Sequence, residues 1–368
     1  MRDDRIEGVE CMRRIGSALL AIALLLWLQA GAALAQENVL DLRGGSFASA
    51  GEIAALIEET QGVDTVDLSG VSLPLQDRGE LVRQYPGVHF IWTVDMFGLE
   101  VSSEAQSVDL AGYEVSSIDR LVSCLDCLPN LREVLMYRNY VSKADKEMLF
   151  ARYPQIFFGF TIRLENRRYE IRTDMTAFST LKNGAPPYFY DDDLWWVKMC
   201  PNLQALDLGH NMITDLSFLY DAPQLKILIV ACNYIEDITP IASLHELEYL
   251  EVFKNSVVDV SPLAGLDKLI DLNLCVNKIE DISPLFGLTQ LERLWLSHNK
   301  GISDEHRQEI LSAFPDTEVV FNSQGSTGVI ILENGRDIPG WRTHPRYDVL
   351  YRIFHTNQYE PWEKGPES

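Results

Sequence analysis

The chain is short of cations. Against 54 Asp and Glu stand 31 Lys and Arg, a formal net charge of −23 over 368 residues. Nucleic-acid binding needs clustered Lys and Arg to meet phosphate, so no nucleic-acid partner is expected. The acidic balance serves solubility first. Cysteine is scarce as well, with six in all. Cys11 lies in an N-terminal segment expected to be removed, which leaves Cys124, Cys127, Cys200, Cys232 and Cys275. An odd number argues against a full disulfide framework. Cys124-Leu-Asp-Cys127 has no second Cys or His pair to complete a zinc site, so it reads as two partly buried thiols or one local disulfide. Cys232 and Cys275 fall two repeats apart, about 10 Å at ~4.8 Å per strand, beyond the ~7 Å Cα limit of a disulfide. They are expected to be free thiols.

Catalytic signatures are missing too. The histidines are scattered, and no G-x-S-x-G, H-E-x-x-H or phosphate loop occurs. With no converging nucleophile, base and charge stabiliser, an enzyme is not expected, and no cofactor is implied. Asp191-Asp192-Asp193 invites a metal reading. However, a calcium site needs six to eight oxygens from a spaced loop, and three adjacent Asp cannot all face one ion. Helix capping ahead of Leu194-Trp195-Trp196 is the simpler expectation, with no metal.

Long apolar runs are confined to the N-terminus. Arg13-Arg14 precede Ile15–Leu28, and Ala33-Leu34-Ala35 offers small residues for cleavage. Residues 1–35 therefore read as a signal peptide, with Gln36 the mature start and a secreted or cell-surface location. If uncleaved, Ile15–Ala35 just suffices to span a bilayer. A membrane association rests on that alternative alone.

What the chain does have is period. Asn211, Asn233, Asn255, Asn277 and Asn299 fall at a step of 22, each ending the frame L-x-x-L-x-[LV]-x-x-N. Asp215, Asp237, Asp259 and Asp281 keep the step, and Thr239-Pro240, Ser261-Pro262 and Ser283-Pro284 follow. Five in-phase copies define leucine-rich repeats. The L-x-[LV] residues form one strand per coil, leucines inward and the intervening side chains outward. The Asn is expected to satisfy backbone groups in the turn leaving the strand. The Asp is expected to cap a short convex-side helical turn, with the Thr or Ser as N-cap before proline. The fold class is α/β: a right-handed leucine-rich repeat solenoid, with a parallel sheet on its concave face and short helices or 3-10 turns on its convex face.

Residues 36–200 carry longer, irregular repeats. Val39–Leu42 and Val66–Leu68 read as strands 26 residues apart around a helix near Ser49–Glu59. Two units of about 70 residues follow, marked by Leu81-Val-Arg-Gln-Tyr-Pro86 and Leu149-Phe-Ala-Arg-Tyr-Pro154, with hairpin turns near Met96–Gly98 and Glu165–Arg167. Leu311–Pro315 echoes the same helix-ending proline. This echo on both sides suggests one continuous solenoid: 36–200 irregular, 201–322 regular, 323–368 a tail.

The frame N-x-I-x-D-[IV]-[ST]-P-[LI]-x-x-L resembles the bacterial 22-residue repeats of internalin-like surface proteins, closely over 201–299 and loosely before. The resemblance implies a curved solenoid that recognises a protein ligand on its concave sheet, without catalysis. Ligand residues would then be the outward strand positions: Ile227, Ile229, Tyr249, Glu251, Phe253, Asp271, Arg293 and Trp295, unless loops or the tail cover this face. Aromatic and Arg side chains of this kind dominate interface hot spots. The alternative is a structural, envelope-associated scaffold anchored by an uncleaved signal. The tail, aromatic and basic around Gly340–Tyr347, is expected to cap the last coil. Its charge against an acidic body also suits docking onto that body.

Overall fold

The fold is described from a computed structural model, which covers residues 38–164, 169–180, 188–323, 329–332 and 335–361. Residues 1–35, expected as a signal peptide, and the turn expected at Glu165–Arg167 lie outside the described residues. Two compact units are present, one of residues up to 108 with 115–131, the other of 109–114 with residues from 132 onward.

The first unit opens with three parallel strands, β1 (Val39–Asp41), β2 (Thr65–Asp67) and β3 (His89–Ile91). Val39 pairs with Thr65, the 26-residue step read in the sequence. Helix α1 (Ala50–Glu59) turns Ile53, Ala54 and Ile57 into the core, and α2 (Leu75–Gln84) buries Leu81. Helix α2 stops at Tyr85 because Pro86 bars the α region to the residue before it. Strands β4 (Thr93–Met96) and β5 (Leu99–Ser102) make a hairpin through Phe97 and Gly98, both at positive φ as a tight two-residue turn requires. The short β6 (Ser107–Asp109) follows. Helix α3 (Ile118–Leu125) is capped by the Ser117 hydroxyl, which accepts from the Arg120 N–H. Both thiols of the C-x-x-C motif are free and buried. Burial pushes Cys124 up to about 11 and Cys127 up to about 12, so both stay protonated and inert.

In the second unit, β7 (Glu133–Leu135) and α4 (Lys143–Arg152) lead to β8 (Phe157–Gly159), parallel to β7. Strands β9 (Thr161–Arg163) and β10 (Glu170–Arg172) form an antiparallel pair. Ser142 caps α4 by accepting from the Asp145 N–H at 3.1 Å. The seven-stranded parallel sheet follows: β11 (Ala177–Ser179), β12 (Ala205–Asp207), β13 (Ile227–Ile229), β14 (Tyr249–Glu251), β15 (Asp271–Asn273), β16 (Arg293–Trp295) and β17 (Glu318–Val320). Ala205, Ile227, Tyr249, Asp271 and Arg293 pair in succession, 22 residues apart. The repeat leucines are buried beneath the sheet, each contributing about 1.5–3 kcal/mol.

One edge of the coils is a polar ladder. The Asn233 amide donates to its own coil at Val230 O (3.0 Å) and to the preceding coil at Leu208 O (2.9 Å), while its oxygen accepts from the Ile213 N–H at 3.0 Å. Asn255, Asn277 and Asn299 repeat this bonding. The residue before each asparagine (His210, Cys232, Lys254, Val276, His298) is left-handed, at φ of 56–63°. None of them is glycine, and for Val276 the β-branch makes the position strained. On the convex side each Asp accepts from the N–H two residues on, as Asp259 does from Ser261 at 2.8 Å. This corrects the capping assignment. The Thr or Ser opens each 3-10 turn, and the N-cap position falls on buried Ile238, Val260 or Ile282, with the Asp doing the capping. Asp191 likewise accepts from the N–H groups of Thr214 and Asp215, and Asp193 from that of Tyr190.

The regular coils end in α5 (Asp304–Ala313), which stops at Phe314 before Pro315. The tail forms an antiparallel pair, β18 (Val329–Ile331) with β19 (Asp337–Pro339), then a 3-10 turn at Trp341–Thr343, then α6 (Pro345–Thr356). Among the described residues no helix is long and apolar enough to cross a membrane.

Candidate functional site: a concave face closed by the tail

The outward positions of β13–β16 stand side by side, as the 22-residue step requires, but they are not open. Ile227, Ile229, Tyr249, Glu251, Asp271, Arg293 and Trp295 are all buried, and only Phe253 is half-buried. The expectation of an exposed patch is therefore corrected in favour of its alternative, a face covered by the tail. The tail lies across it, with Ile338, Trp341, Leu350, Ile353 and Phe354 in one apolar cluster with the sheet residues. The end-cap expectation changes with it: α6 packs on β11 and β12, at the far side of the sheet from the strand the tail leaves. A row of aromatic and aliphatic side chains cannot stay in water when twelve helical residues with an apolar stripe are tethered beside it.

Trp341 is the centre of the closure. Its ring lies 5.5 Å from those of Tyr249 and Trp295. Its Nε1–H donates to Glu251 Oε2 at 3.0 Å, and the Tyr249 hydroxyl donates to the same oxygen at 3.1 Å. The Arg293 guanidinium sits 4.3 Å over its face, an arrangement that favours a cation. Arg293 in turn grips Asp271 through two bonds of 2.8 Å. From α6, Arg346 reaches Asp271 at 2.9 Å and also pairs with Glu292. Arg346 of the basic tail thus answers Asp271 and Glu292 of the acidic coils.

Burial sets the protonation here. It pushes the Glu251 carboxyl up, against the Trp341 and Tyr249 hydrogen bonds that pull it down. Asp207 rises to about 6 for the same reason, although Ser179 Oγ and the Gly209 N–H both donate to it. Burial also pulls on Arg293, but the bonds and charge of Asp271 outweigh it and keep the guanidinium charged. His344, at the start of α6, drops to about 4 through burial and stays neutral. Among the described residues no group of three His, Cys, Asp or Glu is placed to hold a metal ion.

Beside the tail a cleft of about 300 Å³ stays open, walled by Glu251, Phe253, Asn273, Trp295, His298 and Arg342. Arg342 is exposed at its mouth, over the Tyr347 ring at 5.8 Å. The sequence reading missed Trp341 and Arg346 as partners of the concave row. The only signal for them was the aromatic and basic character of the tail, which carries no period.

Residues 201–243 and 267–305 match the family model of leucine-rich repeats (two copies). With the seven-stranded sheet and its 3-10 turns, this defines a leucine-rich repeat solenoid. Comparison with curated proteins finds no match. Among solved structures, an internalin from Listeria monocytogenes is 20% identical at a TM-score of 0.36, covering 78% of this chain and 81% of its own. A leucine-rich repeat protein from Leptospira interrogans is 18% identical at 0.37, covering 72% and 74%. The Arabidopsis receptor kinase HAESA, in complex with a peptide hormone and a co-receptor, is 20% identical at 0.27, covering 53% and 26%.

Proposed function

We propose that the chain is an exported, non-catalytic recognition module for a protein ligand, and that its own tail occupies the recognition face until a partner displaces it. Leucine-rich repeats commonly mediate protein–protein recognition. The observation that carries the reading is the way Trp341 and Arg346 engage the concave row. A central tryptophan fills an aromatic pocket, and buried charges are paired around it, which is how a ligand's hot spot is built. The ligand residues remain Ile227, Ile229, Tyr249, Glu251, Phe253, Asp271, Arg293 and Trp295, reached after the tail moves. The cleft at Phe253 and Arg342 is where a partner would first gain hold.

A second reading is favoured by the same paired network. If Arg346, Asp271 and Arg293 lock the tail for good, the solenoid is a closed scaffold at the cell envelope. Affinity capture with the chain from Gln36 to Ser368 separates the two. Trp341→Ala should loosen the tail and enrich a partner that wild type captures weakly, and Phe253→Ser on that background should lose it. Equal capture by wild type and Trp341→Ala would overturn the recognition reading. Fractionation with N-terminal sequencing tests export, with Gln36 the expected first residue.

A further inference from the structure

A second cleft lies on the opposite chemistry. Its volume is about 530 Å³, and its walls come from the β7–α4 turn, β9 and the segment around Trp195. In a chain of net charge −23, four cations line it: Arg138, Lys143, Lys146 and Arg163. Arg163 is paired with Glu170 at 2.9 Å. Arg138, Lys143 and Lys146 take part in no ion pair among the described residues. Among the described wall residues the one carboxylate, Asp193, accepts from the Tyr190 N–H. Asp145 is held by the Ser142 hydroxyl at 2.6 Å.

Lys146 is the unusual member. It is 6% exposed, and its ammonium donates to the Val141 carbonyl and lies 5.7 Å from the Phe160 ring. One carbonyl answers one of three N–H donors. Burial pulls the Lys146 ammonium down, and the charge of neighbouring Asp145 offsets this only in part and without an ion-pair contact; a buried ammonium with no carboxylate in contact is expensive, and is normally found paired. Lys143 and Lys146 also stand in the first turn of α4, where the helix's positive end disfavours cations and favours an anion. Aromatic rings accompany the charges. Tyr140 stands 89% exposed at the rim, and the Lys143 ammonium lies 4.8 Å over Trp195. A free-standing tyrosine beside an unmatched buried cation has the form of a stacking platform next to an anion seat.

We propose that this cleft binds a phosphomonoester carried on a ring, with the phosphoryl group among Lys146, Lys143 and Arg138 and the ring against Tyr140. A dianion is preferred over a monocarboxylate because three cations are unmatched. The site shares no lining residue with the concave cleft, so it stands or falls separately from the recognition reading.

The test is calorimetric titration of the chain from Gln36 to Ser368 with inorganic phosphate, phenyl phosphate, glucose 6-phosphate and phenol, at matched ionic strength. Phenyl phosphate or glucose 6-phosphate should bind about tenfold or more tighter than inorganic phosphate, with phenol silent. Whichever is tighter says whether the ring is aryl or sugar. Tyr140→Ala should erase the ring's advantage and leave phosphate binding. Arg138→Ser with Lys143→Ser should weaken every phosphate compound by about tenfold or more. Lys146→Met fills a similar volume without charge, so it should fold, melt at or above wild type, and lose the rise in Tm that phenyl phosphate gives. No binding of either ester at millimolar concentration and low salt, or binding unchanged in the double variant, would overturn the proposal.

Discussion

Two faces of the same coils are built in opposite ways. The turn edge is a ladder in which each asparagine repeats the bonds of the last, one within its own coil and the others to backbone groups 20 to 25 residues away. The concave face is held by contacts that cross 75 and 90 residues to the tail, each made once. The ladder's stability is spread over many equivalent bonds. The concave face instead concentrates its stability in a few large side chains and buried charges. A single change should therefore be felt far more on the concave face than on the edge.

The largest effect is expected from Trp341→Ala. It removes an indole packed on Tyr249 and Trp295, and leaves Glu251 with one fewer donor. Truncating a buried Trp costs about 3–5 kcal/mol. The loss should fall on the tail, since the repeat leucines beneath the sheet are untouched. Hydrogen exchange should speed up in residues 337–356 while the strands 205–295 keep their protection. Equal loss of protection in both would mean that the tail and the coils form one cooperative unit, and the contrast between faces would fail.

The same contrast explains what the sequence could reveal. The 22-residue step places Asn233, Asn277 and the repeat leucines correctly, because each is repeated and its partners stand at the same repeat positions of the neighbouring coil. The Tyr85, Tyr153 and Phe314 helix ends were legible because proline acts on the residue beside it. The concave row was legible as positions but not as an environment. Tyr249 and Trp295 look alike in sequence whether water or Trp341 faces them, and nothing local to the tail says which strand α6 will meet. Lys146 was hidden in the same way: its burial depends on the packing of Phe160 and Val141, not on its place in α4.

A smaller, pH-dependent effect should come from Asp207. Its folded carboxyl sits at about 6, above the ~3.9 of an unfolded chain, so the fold favours the protonated acid. The contribution is fully present below about pH 4 and is lost as pH rises through 6. Asp207→Asn stays neutral and still accepts from the Gly209 N–H. The variant should gain on wild type by up to about 3 kcal/mol between pH 4 and 7. Denaturant titrations at several pH values would check this, and a constant difference across that range would show that Asp207 is not held in a dry site. Glu251 is pushed in the same direction and will add to the wild-type slope, so the comparison between the two proteins is the informative quantity.

The smallest effect belongs to the ladder edge. Lys254 is exposed and left-handed at φ 56°, its N–H donating to the Cys275 carbonyl at 2.9 Å. The conformation is set by the turn between strand and asparagine, not by the lysine. Asparagine tolerates the left-handed region better than a long side chain does, by about 1 kcal/mol. Lys254→Asn should therefore raise stability by roughly that amount, read as a small increase in Tm with the near-ultraviolet spectrum unchanged. A decrease would mean that the Lys254 side chain contributes more than its backbone strain costs. The edge would then depend on individual residues as the concave face does, and the difference between the two faces would be one of degree.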